Sequence, residues 1–259
     1  MKLQIHAELV YTFAEATQVI ACIEASRSAD QDILGERLDI SPSAKPVTDV
    51  DLSGDRRLRT SLSGQTSIVY TATVDNRVRQ ILPLSGRQHP WIELPEHTLP
   101  FLLPSRFCPS DKFNRFAERE FGQAGDGIAK VMAVLDWITA NVDYVHGIST
   151  PETTAERTFV DRAGVCRDFT HLGITLCRAL SIPARAVSAY ALNLEPPDFH
   201  AIFEVYLAGA WWLVDPTRLA PIEGIVRIGS GRDAADIAFL TTDKACTPVH
   251  QSIIVKAAS

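Results

Sequence analysis

Cys166 is the first residue in this chain whose type and position could support nucleophilic chemistry. It lies in AGVCRDFTHL, where small residues give way to good helix formers. A thiol in the first turn of a helix lies near unpaired backbone N–H groups and the positive end of the helix dipole, and both favour the nucleophilic thiolate. Taken alone, a cysteine is more often a small buried hydrophobic residue. Nucleophilic chemistry is therefore indicated only if a base lies beside it.

His200 and Asp215 are candidates for that base and for its orienting partner. His200 opens HAIFEVYL, whose alternation predicts a strand with the apolar side chains on the face opposite the histidine. A short AGA turn leads into WWLVDP, which contains Asp215. A hairpin centred on 207–208 pairs the two residues directly, whereas a turn at 209–210 leaves them several residues out of step. With Cys166 they have the residue types of nucleophile, base and orienter.

Other polar or aromatic residues near these three are interpreted more plainly. His171 lies about 140° around the helix from Cys166, and we expect it to have a structural role. Trp211 shares the strand face of Asp215 and is a candidate for the wall of a substrate groove. Arg167 and Asp168 are also groove candidates, although an exposed ion pair that steadies the helix start is the simpler interpretation.

The elements that must position these residues fall into two regions. In the first 85 residues, KLQIHAELVYTF, TQVIACIEAS and TSIVYTATV have the alternation and β-branched content of strands, and turn residues separate them. They predict a small β-sandwich. Prolines at 83, 90, 95, 100 and 104 then predict a connection without long helices. We therefore predict an N-terminal β-rich domain over residues 1–105.

Beyond the prolines, the hydrophobic period changes from that of strands to that of helices. Apolar residues recur at helical spacing over 128–142 and again over 167–180, where Pro183 marks the end. ARAVSAYAL, HAIFEVYL and WWLVD then have the character of strands. The sequence predicts an α+β domain over residues 106–259, with helices packed against an antiparallel sheet.

Composition excludes several classes of function. The chain has 259 residues, 46% of them hydrophobic, and a net charge of −6, which favours a globular protein without a nucleic-acid partner. It lacks an apolar run of membrane-spanning length, and its polar N-terminus does not resemble a signal peptide. Five irregularly spaced cysteines without a CxxC pair argue against a disulfide framework or a structural zinc site. We expect a cytoplasmic protein that does not bind membranes.

Several sequence blocks resemble those of the transglutaminase-like superfamily, in particular bacterial members described as cysteine proteases. RAGVCRDFTHLGITLCRALSIPARAVSAY is similar to its nucleophile block, FHAIFEVYLAGAWWLVDPT to its histidine and aspartate blocks, and GSGRDAADIAFL to a later stretch. The resemblance implies a papain-like core with Cys166 as nucleophile, His200 as general base and Asp215 as orienter. Ile202 departs from the family, where Trp is common, and implies altered packing or a different groove.

The chemistry that this resemblance implies is acyl transfer from a peptide or protein substrate through a thioester, without a cofactor. Release to water gives a peptidase or amidase, and release to a lysine amine gives crosslinking; the same three residues would serve both. The Cys166 backbone N–H is the first candidate for an oxyanion donor, and the sequence places no side-chain donor. The oligomeric state is not predicted.

Two alternatives from other classes stay open. One is a non-catalytic scaffold that keeps the fold as a binding module. The other is a metal protein, since Cys166, His200 and Asp215 are acceptable zinc ligands. DVDLSGD superficially resembles the start of an EF-hand, but Thr60 takes the place of the final Glu, so we interpret it as a polar turn without metal.

Overall fold

Two long strands pair antiparallel at the centre of the N-terminal sheet in the computed structural model, which describes residues 1–79, 82–83 and 85–258. They are β1 (Lys2–Ala21) and β4 (Arg56–Asp75), each 20 residues long. The register of their pairing shifts between Phe13 and Thr17, an irregularity that bends such strands. Two stretches predicted as separate strands, KLQIHAELVYTF and TQVIACIEAS, therefore lie largely in the one strand β1. Shorter strands pair with β4: β2 (Asp32–Ser41) and β3 (Val47–Val50).

The other edge of this sheet comes from the far end of the chain. Strands β11 (Leu240–Thr242) and β12 (Cys246–Ala257) both pair antiparallel with β1. The strands predicted as a sandwich thus join a single six-stranded sheet. The domain division at 105/106 stays a prediction. Strands β11 and β12 belong to the predicted second domain by sequence, yet they hydrogen-bond to the N-terminal region. Residues 80, 81, 84 and 259, which those predicted ranges include, lie outside the described residues.

A second antiparallel sheet has four strands in the order β10–β7–β8–β9. They are β7 (Ala184–Ala191), β8 (His200–Leu207), β9 (Ala210–Val214) and β10 (Ile225–Gly231). A two-residue turn, Ala208–Gly209, joins β8 to β9, and both residues have positive φ, +50° and +83°. Such backbone angles suit the right-handed twist of a hairpin and favour Asn-Gly over Ala-Gly.

This turn carries a testable stability prediction. Replacing exposed Ala208 by Asn should stabilise the protein by about 0.5–1 kcal/mol, because Asn adopts the left-handed conformation more readily than Ala. Gly209→Ala should destabilise it by about 1 kcal/mol, since a Cβ there meets no neighbouring atom and only the backbone is strained. Urea unfolding of both variants measures the two effects, and shifts of the same sign would contradict this account of the turn.

Helices cover one face of the second sheet. The helices are α1 (Asn114–Phe121), α2 (Ile128–Asn141), α3 (Ala155–Asp161), α4 (Cys166–Ala179) and α5 (Ala234–Ile237). Helix α4 packs on β8 so closely that a Cβ on Gly173 would lie 2.6 Å from the Phe203 ring. A pair of two-residue strands, β5 (Asp143–Tyr144) and β6 (Ala163–Gly164), precedes α4. The predicted α+β class and the helices predicted over 128–142 and 167–180 are confirmed.

The described residues of the proline-rich connection form no long helix, as predicted. Short 3-10 helices lie in this connection at Trp91–Glu93 and Glu96–Phe101. Two more lie further along the chain, at Ser110–Lys112 and Ile222–Gly224.

The second sheet packs on the N-terminal sheet through a shared apolar core that includes Tyr190, Val226 and Ile228. Charged side chains are buried beside it. Glu204, fully buried on β8, accepts hydrogen bonds from Arg227 and, at 2.7 Å, from Arg185 Nε. Arg227 Nε in turn donates to Asp30 Oδ2 of the N-terminal region at 3.0 Å. We call Glu204, Arg185, Arg227 and Asp30 the interface ion cluster.

Candidate active site

Cys166 is the first residue of α4, and its side chain is half-buried. Helix α4 begins abruptly because the Asp168 carboxylate folds back and accepts the Val165 N–H at 2.9 Å, which satisfies one of the donors left over at a helix start. Gly164 makes room for this contact, since a Cβ there would lie 2.7 Å from the Asp168 Cβ. The glycine two residues before the cysteine thus has a steric role in placing the thiol.

Asp168 is buried and belongs to a small network. Its Oδ1 accepts from Ser149 Oγ at 3.0 Å and from Arg167 Nη2 at 3.2 Å. Arg167 is half-buried and also donates to the Ser149 hydroxyl at 2.7 Å. The interpretation of Arg167 and Asp168 as an exposed ion pair is therefore wrong, because the loop around Ser149 covers the carboxylate. Asp168 fixes the helix start, while Arg167 does reach the cavity beside Cys166.

His200 and Asp215 are hydrogen-bonded to each other. His200 Nε2 lies 2.9 Å from Asp215 Oδ2, and both side chains are buried. In the β8–β9 hairpin Leu207 pairs with Ala210, so Asp215 follows the strand residue that pairs with Phe203. The register is intermediate between the two weighed from the sequence, and the imidazole reaches the carboxylate diagonally. Thr217 completes the site by donating its N–H and its hydroxyl to Asp215 Oδ1 at 2.9 and 2.7 Å.

The electrostatics of this pair favour a charged imidazolium. Burial alone would lower the pKa of His200, but the Asp215 carboxylate and the Cys166 thiolate outweigh it and raise the pKa to about 9. Burial would raise the pKa of Asp215, yet the bonds from His200 and Thr217 hold it below its usual value. With Nε2 on Asp215, the other ring nitrogen, Nδ1, is left on the Cys166 side. It makes no regular hydrogen bond within the described residues.

Two cavities meet at Cys166 and His200. The larger, about 570 Å³, lies between the second sheet and the strands that return to the N-terminal sheet. Its lining is largely apolar and includes Phe107, Ile237, Phe239 and Leu240, with Arg106 and Arg167 as cations. The smaller, about 160 Å³, is lined by Tyr144, His146, Glu195 and Asp198 among others. Cys166 is therefore accessible from two directions.

Trp211 does not line either cavity, so its prediction as a groove wall is wrong. It pairs with Tyr206 near the turn of the hairpin, several residues from Asp215. There it packs against Tyr206, Leu94 and Leu102, and Arg185 stacks on its ring at 4.2 Å. Strand alternation correctly put Trp211 on one face with Asp215, but the distance along the strand separates them.

The contacts of His171 and Asp51, which the sequence analysis also considered, are those of residues with a structural role. His171 is fully buried, accepts the Ala234 N–H at Nε2 and stacks on Phe107 with ring centroids 5.1 Å apart. Asp51 accepts the Ser53 and Asp55 N–H groups, as a polar turn does. Within the described ranges no three His, Cys, Asp or Glu side chains are grouped to hold a metal ion.

Sequence reasoning missed the residues of the smaller cavity. Tyr144 lies in VDYVHG and Asp198 in EPPDF, segments without a hydrophobic period or a recognisable turn motif. Both reach Cys166 only through tertiary contacts, so no local signal identifies them. The proline pair beside Asp198 indicated a loop but not its destination.

Comparison with known proteins agrees with this architecture. The sequence model of the transglutaminase-like superfamily matches residues 114–216, and that of the bacterial transglutaminase N-terminal domain matches residues 1–85. A crystal structure from Cytophaga hutchinsonii, described as a "putative cysteine protease", is 40% identical, with a TM-score of 0.91. The match covers 100% of this chain and 91% of that one.

Two relatives by sequence carry the description "uncharacterized protein". ML0607 of Mycobacterium leprae (strain TN), an uncharacterized protein, is 25% identical over 235 residues, which cover 81% of this chain and 80% of the relative. Rv2569c of Mycobacterium tuberculosis (strain ATCC 25618 / H37Rv), also uncharacterized, is 30% identical over 115 residues. These cover 39% of this chain and 37% of the relative. The family matches and the Cytophaga structure support a cysteine enzyme of this general class. The chain belongs to the transglutaminase-like superfamily.

Proposed function

We propose that this protein is a cysteine-dependent acyltransferase that hydrolyses an amide or peptide bond through a thioester on Cys166. The observation that supports this most directly is the buried His200–Asp215 bond, 2.9 Å long, beside a half-exposed thiol at a helix start. Thiol, imidazole and carboxylate then have the roles of nucleophile, acid–base and orienter. The apolar cavity with Arg106 and Arg167 at its border favours a peptide substrate over a small polar one.

The reaction follows from these positions. The Cys166 thiolate attacks the amide carbonyl, a C–S bond forms, and the carbonyl oxygen becomes an oxyanion. As the oxyanion collapses, the C–N bond breaks, and the leaving amine takes the proton from Nδ1 of the His200 imidazolium. Neutral His200 then takes a proton from water, whose oxygen attacks the thioester and releases the acid and the thiolate. Asp215 holds Nε2–H throughout and stabilises the imidazolium.

This role of His200 gives a pH prediction. The imidazolium is the proton donor to the leaving amine, and a raised pKa means that this donor is present at neutral pH and lost as the pH rises through about 9. Turnover of a peptide amide should therefore fall above that pH. Acylation by p-nitrophenyl acetate should not fall there, because nitrophenolate leaves without a proton. A parallel fall of both rates would contradict the general-acid role.

The experiment that tests the function itself needs no known substrate. Mixing the protein with p-nitrophenyl acetate should give a burst of one nitrophenolate per chain, and peptide mass mapping should find the acetyl group on Cys166. Cys166→Ala should show no burst, while Cys246→Ala, which removes another half-buried thiol, should keep it. Labelling that is spread over several cysteines, or a burst that survives in Cys166→Ala, would favour the scaffold alternative.

Transamidation is a second candidate, supported by the acidic side chains of the smaller cavity. Glu195 and Asp198 line it beside Cys166, and carboxylates attract a cationic amine such as that of lysine. An acyl-enzyme that transfers its acetyl group to cadaverine faster than to water would favour this candidate. Mass spectrometry of the products separates the two reactions.

Location is inferred separately from chemistry. In the described part of the chain, none of the helices combines the length and the apolar character needed to cross a membrane. The cytoplasmic location expected from the sequence stays a prediction.

A further inference from the structure

The proposed acyl transfer places a negative charge on the carbonyl oxygen of its intermediate, and this charge needs hydrogen-bond donors. The Cys166 N–H lies at the start of α4, where N–H groups have no acceptor within the helix. It can donate to an oxyanion that forms beside its own thiol. A single donor is an incomplete oxyanion site, so a second donor is expected among the side chains around Cys166.

Most donors around the two cavities are already engaged. Arg167 donates through Nη2 to the Ser149 hydroxyl and to Asp168, while its buried Nε has no partner within the described residues. Gln251 donates its amide to Asp198, and the Ser188 hydroxyl donates to the Gly229 carbonyl at 3.4 Å. His200 holds Asp215 and serves as acid and base. The Tyr144 hydroxyl differs from these, because Tyr144 lines the smaller cavity together with Cys166 and His200.

The fold holds Tyr144 against the residues that lead into the nucleophile. Strand β5 pairs in parallel with β6, Tyr144 opposite Gly164, and the Val145 N–H donates to the Gly164 carbonyl at 2.9 Å. The Tyr144 ring packs on Phe169, one turn along α4 from Cys166, with centroids 5.7 Å apart. These contacts fix the backbone of Tyr144 and the position of its ring. A two-residue pairing of this kind contributes little to the core but determines where the phenol lies.

The surroundings keep this phenol in its donor form. Burial and the charge of the Cys166 thiolate raise the pKa of Tyr144 above its usual value. The hydroxyl therefore stays protonated through the working range of a cysteine enzyme. Tyr144, Cys166 and His200 all line the smaller cavity.

We propose that the Tyr144 hydroxyl is the second oxyanion donor, acting with the Cys166 backbone N–H on the tetrahedral intermediate. The inference rests on the proposed acyl transfer at Cys166. It makes Tyr144 a catalytic residue, because its hydroxyl would touch the reacting oxygen. The acyl carbonyl then points toward the smaller cavity, with its oxygen between β5 and the start of α4.

The test compares two reactions of the same thiol. Alkylation by iodoacetamide displaces iodide and forms no oxyanion, whereas acylation by p-nitrophenyl acetate does. Tyr144→Phe should lower the acylation rate by roughly 10²-fold, the usual effect of losing one oxyanion donor, and leave the alkylation rate unchanged. Tyr206→Phe is the matched control, since Tyr206 is also largely buried but lies at the far end of β8 from His200. It should change neither rate.

Each other outcome has a distinct meaning. Equal losses of acylation and alkylation in Tyr144→Phe would overturn the proposal and make Tyr144 a residue that acts on the thiol. No loss in either reaction would overturn it as well. Affinity for an N-acyl amino aldehyde, whose thiol adduct carries the same oxygen, provides a second measurement that should weaken in parallel with acylation. A wild-type protein without a burst at Cys166 would instead remove the proposed function, which the Cys166→Ala comparison detects separately.

Discussion

His200→Ala should lower the rate of Cys166 acylation by p-nitrophenyl acetate at neutral pH by roughly 10²-fold, because it removes the cation that favours the nucleophilic thiolate. The reason is electrostatic. In the native site the His200 imidazolium lies beside Cys166 and is stabilised by Asp215, as the rise of the His200 pKa to about 9 indicates. Without it, the thiolate loses its counter-charge in a largely buried site.

The rate is measured by stopped-flow absorbance, with thermal unfolding to establish that the variant is folded. His97→Ala is the matched control: His97 is exposed on the proline-rich connection and should leave the rate unchanged. Asp215→Asn should give a partial loss, because the imidazole remains but its orienting charge does not. A His200→Ala protein that acylates as fast as wild type would show that Cys166 reacts as an ordinary thiol.

Glu204→Gln should destabilise the protein by about 3 kcal/mol, the largest stability effect that we expect from a single charge. Glu204 is fully buried and accepts from Arg227 and Arg185. Removing its charge leaves the buried Arg227 with Asp30 as its remaining charged partner, and an uncompensated buried charge is costly. Urea unfolding measures the loss, which should be partly recovered when Arg227→Met is added.

Acid provides an independent check on the same cluster. Burial would raise the pKa of Glu204, but Arg227 and Arg185 outweigh it and hold the pKa below the usual value. A depressed carboxyl pKa contributes stability above the unfolded value of about 4.3, and this stability is lost as the pH falls. The difference in free energy of unfolding between wild type and Glu204→Gln should therefore become smaller as the pH falls. Glu156→Gln removes an exposed partner of Lys112 and should cost under about 1 kcal/mol.

The sequence was informative where local pattern determines structure. The helical stripes before and after Cys166 predicted α2 and α4 closely, because an amphipathic period and a terminal proline act within one element. Cys166, His200 and Asp215 could be singled out by their residue types and by family resemblance. Their contact could not be derived locally, because it depends on a hairpin register that a turn of two residues, Ala208 and Gly209, decides.

Long-range features were the least predictable. Nothing in CTPVHQSIIVKA indicates that β12 pairs with β1 rather than with the nearby strands of the second sheet. Likewise Asp168 has the sequence context of an exposed charge, and only the loop around Ser149 buries it. Trp211 was predicted to line the groove because it shares a strand face with Asp215, but this prediction did not consider how far the two residues lie apart along the strand. In each case the deciding partner lies far away in sequence.

The return of β11 and β12 to β1 has a consequence for the timing of activity. The ribosome makes Cys166, His200 and Asp215 before the residues that wall the larger cavity, which include Phe239, Leu240 and Gln251. A nascent chain can therefore contain Cys166, His200 and Asp215 while β1 still lacks the neighbours on one edge and the cleft lacks one side. For the proposed reaction, competence to hold a substrate is then acquired only after the last strands have been synthesised and have paired, which couples the proposed nucleophile to completion of the fold.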